Sequence, residues 1–380
     1  MESDNLIGSI DSDSSKKVKC RMITLISIII ALFALCTIFI FLYIDAKNDD
    51  DDDNDEKKED TYIPLKLWND GETKKKLIQF MEKITSEKNF VPKEDRIAVF
   101  DLDGTLFQET DLTYDDWKLY YYRVYNDSTF NSTPEQKEIA DAIDASSKEG
   151  DMPDDLNIRI AETYAQLFND MTLEEYAQYI RDFTSKPADG YTNLKRGDAF
   201  YKPMLELIEY LQKNDFNVYI TSGTDRFQVR TVIEGHINIP PCNVIGSDYR
   251  VVATNQNGAK GYEYEYQKDD DFKFEGEFLF KNLKTHKIVG IIREIGKQPI
   301  LAFGNSGGDG SMANYVLNEN KYDSLAFMVI CDDTKRERGN PSKAEKMKRN
   351  CETNGWIPIS MKNDWKTIYG ENVKRKDINE

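Results

Sequence analysis

The sequence predicts a doubly wound α/β fold, a parallel sheet covered on both faces, with a helical insertion and one transmembrane helix ahead of it. Three observations predict this. Short apolar runs stop at polar or glycine-rich segments: RIAVF (96–100) before Asp101, PILAFG (299–304) before Asn305, and SLAFMVI (324–330) before Cys331. Amphipathic helix patterns alternate with these runs, and alternating strands and helices imply a parallel sheet buried on both sides. Residues 22–44, MITLISIIIALFALCTIFIFLYI, hold no charge at all.

The chain has 380 residues, a formal net charge of −18 and 39% hydrophobic residues. That apolar share supports a substantial core. The acidic balance excludes a nucleic-acid partner, whose phosphates require a basic surface, and excludes docking on an anionic membrane face. A small anionic substrate remains compatible, because a bound cation reverses the local potential.

At about 1.5 Å per residue, a helix over 22–44 spans the ~30 Å hydrocarbon core. The run ends in Phe41, Leu42, Tyr43 and Ile44 rather than in the small residues of a cleavage site, which makes it an uncleaved anchor. Lys16, Lys17, Lys19 and Arg21 precede it, and the positive-inside rule keeps them cytosolic. Residues 1–21 are then a cytosolic tail and 45–60 an extended acidic stalk. Everything beyond is luminal or extracellular, in a single-pass membrane protein. Two glycosylation sequons begin at Asn126 and Asn131, while Asn340-Pro341-Ser342 is barred by its proline. Cys331 and Cys351 flank a polar loop and are able to pair in an oxidising lumen, which leaves Cys242 free.

Folded structure is expected from residue 61. Leu77, Ile78, Met81 and Ile84 share one helical face, and RIAVF then forms a buried strand. Pro203 suits a helix start, with Met204, Leu207, Ile208 and Leu211 following at i, i+3, i+4 and i+7. FNVYITS (216–222) alternates as a strand, and Ile288, Ile291, Ile292 and Ile295 mark a further helix. Residues 107–200 read as the helical insertion, within which Thr172 and Glu175 form a capping box. The core is then 61–106 with 201–380. Residues 246–280 read as hairpin strands.

Four motifs carry chemistry. Asp101-Leu102-Asp103-Gly104-Thr105 follows RIAVF, at the strand end where such sheets bind ligands. One carboxylate there is able to attack phosphorus and the second to act as acid and base. Ser222-Gly223 ends the second strand, where a hydroxyl and a free backbone N–H can hold a phosphoryl oxygen and glycine allows close approach. A lysine near the Ile288 helix is needed to neutralise charge. Lys287 fits best by its place, with Lys281 and Lys284 as competitors. Gly304-Asn305-Ser306-Gly307-Gly308-Asp309 follows PILAF, and Asn305 and Asp309, with Asp101 and the Asp103 carbonyl, offer the oxygens that magnesium prefers. Each motif alone also fits an ordinary turn.

Together, and in this order, the four motifs resemble the signature of the haloacid dehalogenase superfamily, and YKPMLELIEYLQKNDFNVYITSG and KQPILAFGNSGGDGSM resemble its phosphoserine-phosphatase-like branch. The resemblance covers roughly residues 95–370. It implies a Rossmann-like core with a cap, Asp101 as nucleophile and Asp103 as acid/base. It implies Ser222, Gly223 and Lys287 on phosphate, and Asp101, Asp103 and Asn305 on Mg²⁺, with Asp309 ligating through water or orienting the others. Three positions depart from the pattern. Asn305 stands where many members carry Asp, and Gly104 stands where phosphoserine phosphatases carry Ser. Glu109 lies only near the place of the glutamate that meets the substrate amine. These departures point away from phosphoserine as substrate.

The expected activity is Mg²⁺-dependent hydrolysis of small phosphomonoesters through an aspartyl-phosphate. The alternatives are a phosphotransferase on the same scaffold, or a retired hydrolase serving as a membrane-anchored binding module.

Overall fold

Four consecutive residues with no polar side chain, Ile97–Phe100, form the central strand β1 because only a position covered on both faces keeps all four from water. The computed structural model describes residues 63–109, 114–149 and 155–376. The apolar segment 22–44, with the tail and stalk that flank it, lies outside the described residues. Among the described residues no helix is long and apolar enough to cross a membrane.

Ahead of β1 lies α1 (Glu72–Thr85), which buries Leu77, Phe80, Met81 and Ile84. Four helices follow β1: α2 (Asp115–Tyr125), α3 (Pro134–Glu149), α4 (Leu156–Leu167) and α5 (Leu173–Thr184). The expected capping box opens α5. The Thr172 hydroxyl accepts from Glu175 N while the Glu175 carboxylate accepts from Thr172 N. A short strand β2 (Tyr191–Thr192) leads to α6 (Lys202–Lys213), with Pro203 in its first turn as its fixed φ favours.

The chain then runs through β3 (Asn217–Asp225), α7 (Arg226–Ile233), β4 (Val244–Ala253) and β5 (Phe272–Phe280). After these come α8 (Thr285–Glu294), β6 (Leu301–Gly304), α9 (Gly310–Leu317), β7 (Leu325–Ile330), α10 (Pro341–Asn354), β8 (Ile357–Ser360) and β9 (Lys374–Arg375). The main sheet has the order β5-β4-β3-β1-β6-β7-β8. Every pairing in it is parallel except β4 with β5, the hairpin expected within 246–280.

Register decides where the site falls. Phe100 pairs with Ile220 of β3 on one side and Phe303 of β6 on the other. The chain leaves β1 for β3 and β4, then crosses to β6, β7 and β8, so the order reverses at β1. Doubly wound sheets bind ligands in the crevice at such a point.

Side-chain alternation along the strands splits the core. Phe100, Phe303 and Phe327 face one way, among Leu77, Met204 and Leu207. Val99, Ala302 and Met328 face the other way, among Ile291, Met312 and Met347. The three phenylalanines stack in sequence across β1, β6 and β7, with centroids 4.3 and 5.0 Å apart.

The helices between β1 and α6 are tied to the sheet by β5. Asp170 N donates to Phe274 O, and Phe274 N donates to Met171 O, both at 3.0 Å. Residues 64–380 accordingly form one unit, the four helices included.

Cys242, Cys331 and Cys351 are all free thiols, so the expected Cys331–Cys351 pairing does not form. Cys351 is committed to packing with Met347 and Trp356 under α10, whereas Cys331 leaves the end of β7 beside Asn340. Asn126 and Asn131 are both exposed.

Phe303→Ala removes the middle ring of the stack and should cost about 3–5 kcal/mol. Phe272→Ala, at a ring that is 42% exposed, should cost far less. Urea unfolding of both variants checks the contrast.

Candidate active site

Asp101 is the first residue past β1, and its N–H still donates to Phe303 O at 2.9 Å, which fixes the carboxylate at the sheet's carboxyl edge. The turn that follows is tight: Thr105 N, Leu106 N and Phe107 N all donate to Leu102 O. This turn carries Asp103 back over the same edge. Asp101 and Asp103 are 7% and 6% exposed, and both line a small cavity of about 60 Å³ with Gly223, Thr224, Lys287, Asn305 and Asp309. The structure therefore gathers residues from all four motifs in one place.

Lys287, in the first turn of α8, is the lysine that reaches Asp101. Its Nζ donates to Asp101 Oδ1 at 2.5 Å and Asp309 Oδ1 at 2.6 Å, and the side chain is 1% exposed. Burial works against the ammonium, but the two carboxylates prevail and raise its pKa above the ordinary lysine range. Of its competitors, Lys284 is exposed. Lys281 lines the same cavity with Nζ 4.0 Å from Asp116 Oδ2.

Asp309 is an organiser. Its Oδ2 accepts from Asn305 N, Ser306 N and the Ser306 hydroxyl, and its Oδ1 is taken by Lys287. Burial raises its pKa, but Lys287 and those backbone donors outweigh it and hold Asp309 below the usual carboxylate range. Of the roles expected of it, orienting the others matches this set of bonds.

Asp103 is held by Thr224, whose hydroxyl donates to Oδ2 at 3.0 Å, while Oδ1 is buried with no partner. Burial first, and then Asp116, Asp101 and Asp115, push its pKa well above the usual range. A carboxyl in this state keeps its proton and can give it to an oxygen placed at Oδ1. Burial and the Asp309 charge lift Asp101 to about 7 despite Lys287.

Ser222 does not line the cavity. It is 1% exposed, and its Oγ accepts from Thr224 N at 3.1 Å. The wall at β3 is made by Gly223 and Thr224 instead, so Ser222 shapes the turn that presents them. Asn282 braces the same turn, its Nδ2 donating to Thr221 Oγ1 and Ser222 O at 3.0 Å.

Five further lining residues lie outside the four motifs: Tyr114, Asp116, Trp117, Thr224 and Leu283. The first three come from the start of α2. A buried polar chain holds that helix, with Gln228 Nε2 donating to Asp115 Oδ2 at 3.1 Å and the Tyr164 hydroxyl donating to Gln228 Oε1 at 2.7 Å. Burial lifts Asp116 to about 6. Only Thr224 carried a usable signal, two residues beyond Ser222 in a run of small polar residues.

The donor set fits a cation. Asp101, Asp103, Asp116 and Asp309 face only Lys281 and Lys287 across the cavity, and Asp103 Oδ1 lacks a donor. Among the described residues no group of three or more His, Cys, Asp and Glu is placed to hold a metal by itself. A cation here would draw on Asp101, the Asp103 backbone carbonyl and Asn305 together with water, a mixed oxygen set of the kind magnesium accepts.

Comparison with solved structures finds similarity to a cytosolic 5'-nucleotidase IIIB bound to cytidine (12% identity, TM-score 0.46, 77% of this chain and 86% of that one). It finds a phosphoserine phosphohydrolase-like protein from Francisella tularensis subsp. tularensis SCHU S4 (16%, 0.34, 62% and 87%). A phosphoserine phosphatase described as a phospho-aspartyl intermediate analogue also matches (16%, 0.33, 66% and 90%). No family model and no curated protein matches the sequence. These likenesses are to a nucleotidase and to phosphoserine-phosphatase-type proteins, and what the site can do follows from its own geometry.

Asp101, Asp116 and Asp225 have pKa values raised to about 7, 6 and 7, chiefly by burial. A raised carboxyl pKa contributes stability that is complete below the unfolded value near 4 and is lost as pH rises through the folded value. In EDTA, the melting temperature should therefore fall between pH 5 and pH 8. Asp225→Asn, which keeps an acceptor for Gln228 N, should flatten part of that slope in thermal scans.

Proposed function

We propose that the chain is a Mg²⁺-dependent phosphatase of the haloacid dehalogenase type, hydrolysing small phosphomonoesters through an aspartyl-phosphate on Asp101. The observation that carries this proposal is the pairing of two unlike carboxyls at one cavity. Asp101 is aligned by a buried Lys287, whereas Asp103 has a single Thr224 hydroxyl on Oδ2 and an unpartnered Oδ1, and burial and neighbouring carboxylates raise its pKa. Two acids whose surroundings give them different tasks are what acid/base-assisted displacement requires.

Asp101 attacks phosphorus, forming one P–O bond as the bond to the leaving oxygen breaks. Asp103 gives its proton to that oxygen. Water then attacks the aspartyl-phosphate, Asp103 takes a proton from it, and phosphate leaves with Asp101 restored. Lys287 offsets charge on the carboxylate and the approaching phosphoryl group, and the backbone at Gly223 leaves room for a phosphoryl oxygen. Asp101, the Asp103 backbone carbonyl and Asn305 would hold Mg²⁺, which when bound supplies further charge neutralisation. Tyr114, Asp116 and Trp117, from the helical layer, stand where the leaving group departs and set which phosphomonoester is admitted. The proposal includes anchoring through residues 22–44, with the tail cytosolic and the catalytic unit luminal or extracellular. It rests on the uncharged run and its basic flank.

The test is hydrolysis of an aryl phosphate by the full-length chain in detergent, with EDTA and then with excess Mg²⁺. Phosphate release should require Mg²⁺ and be absent in Asp101→Asn, whose melting temperature should stay within a few degrees of the parent. Wild-type rates in Asp101→Asn would refute the mechanism. Transfer to an added alcohol in preference to water would indicate a phosphotransferase.

A further inference from the structure

Gly104, Glu109 and Asn305, the three positions that depart from the motif pattern, meet at one point. The Asn305 amide Nδ2 donates to Glu109 Oε2. Lys343, from the first turn of α10, donates from Nζ to Glu109 Oε1 at 3.2 Å. Gly104 lies against both partners. A Cβ on it would fall 1.9 Å from Asn305 Nδ2 and 2.1 Å from Glu109 Oε2, and its φ of +78° is one that side-chain-bearing residues rarely adopt. Serine at 104 would close the space in which the amide and the carboxylate touch.

The contact has a direction. A carboxylate only accepts, so Asn305 must turn Nδ2 toward Glu109, which leaves Oδ1 for the cavity it shares with Asp101 and Asp103. Aspartate at 305 would instead set two carboxylates in contact. Glu109, only 9% exposed and bound on both oxygens, is also occupied and not free to meet a substrate amine.

We infer that Glu109 is a positioning residue for the cation site: it fixes the Asn305 amide with Oδ1 toward the cation and supplies, one shell out, the negative charge that an aspartate at 305 would bring. Asn305 and Glu109 are thus one exchanged pair, which Gly104 makes sterically possible and Lys343 steadies. This rests on the Mg²⁺-dependent reading above. Partners one shell out from a metal commonly govern affinity by 10–100-fold.

The experiment is Mg²⁺ titration by calorimetry, with the melting temperature of the metal-free protein, on the full-length chain carrying Glu109→Gln, Asn305→Asp, or both. Glu109→Gln should weaken Mg²⁺ about tenfold. Asn305→Asp alone should lower the metal-free melting temperature, because it opposes two carboxylates. The double variant restores an amide–carboxylate pair with the roles exchanged, and should recover both the melting temperature and Mg²⁺ binding to within about threefold of the parent. A Glu109→Gln protein that binds Mg²⁺ like the parent overturns the inference, as does a double variant no better than its singles combined. If Glu109→Gln does not fold, Lys343→Met takes its place: it removes the positive charge that offsets Glu109 and should tighten Mg²⁺ severalfold, and unchanged or weaker binding counts against the inference. A parent chain that binds no Mg²⁺ overturns the metal reading itself, so the two failures are distinct.

Discussion

A lysine ammonium enclosed between two carboxylates, with almost no water to share, is the constraint on which the rest of the site depends. Removing such a cation from water costs several kcal/mol unless its partners are close and fixed. Lys287 meets Asp101 and Asp309 only because β1 and β6 are adjacent and in register and because α8 starts at their carboxyl edge. The helix comes this close because Gly290 has no side chain: a Cβ there would lie 2.7 Å from Ile245 of β4. Sheet order, helix docking and the charge state of the nucleophile are therefore one problem with one solution.

The same ion pair explains how two buried aspartates of one chain take opposite characters. Asp309 has Lys287 and a turn full of backbone donors and stays ionised, whereas Asp103 has a single threonine hydroxyl and other carboxylates for company and holds its proton. The acidic balance of the chain matters locally here, since Asp115 and Asp116 of the helical layer add to the field that Asp103 feels. That layer is therefore part of the electrostatics of Asp103.

Much of this could be read from residue order alone. An apolar run that stops at Asp101, and another that stops at Asn305, announce strand ends, and strand ends in this fold converge on ligands. Lys287 could be favoured over Lys281 and Lys284 from helical position. Strand alternation does not say where a twisted strand stops: β3 runs on to Asp225, so Gly223 and Thr224 line the cavity while Ser222 lies behind them. Tyr114, Asp116 and Trp117 were illegible for a different reason: their approach depends on contacts with Gln228 and Tyr164, over a hundred residues and half a hundred residues away. Gly104 and Asn305 were each legible as oddities, but their common cause is a contact in space.

The ends of the folded unit meet. Trp68 packs edge-on against Trp365 with centroids 6.2 Å apart, and Lys366 Nζ donates to Lys66 O across 300 residues of chain. Asn69 N and Lys366 N complete the join through Asp364 O and Leu67 O. A ribosome therefore delivers the two halves of this seam 300 residues apart. Until the segment around Trp365 has emerged, Trp68 lacks its cover, and the nascent chain exposes an apolar surface that chaperones recognise.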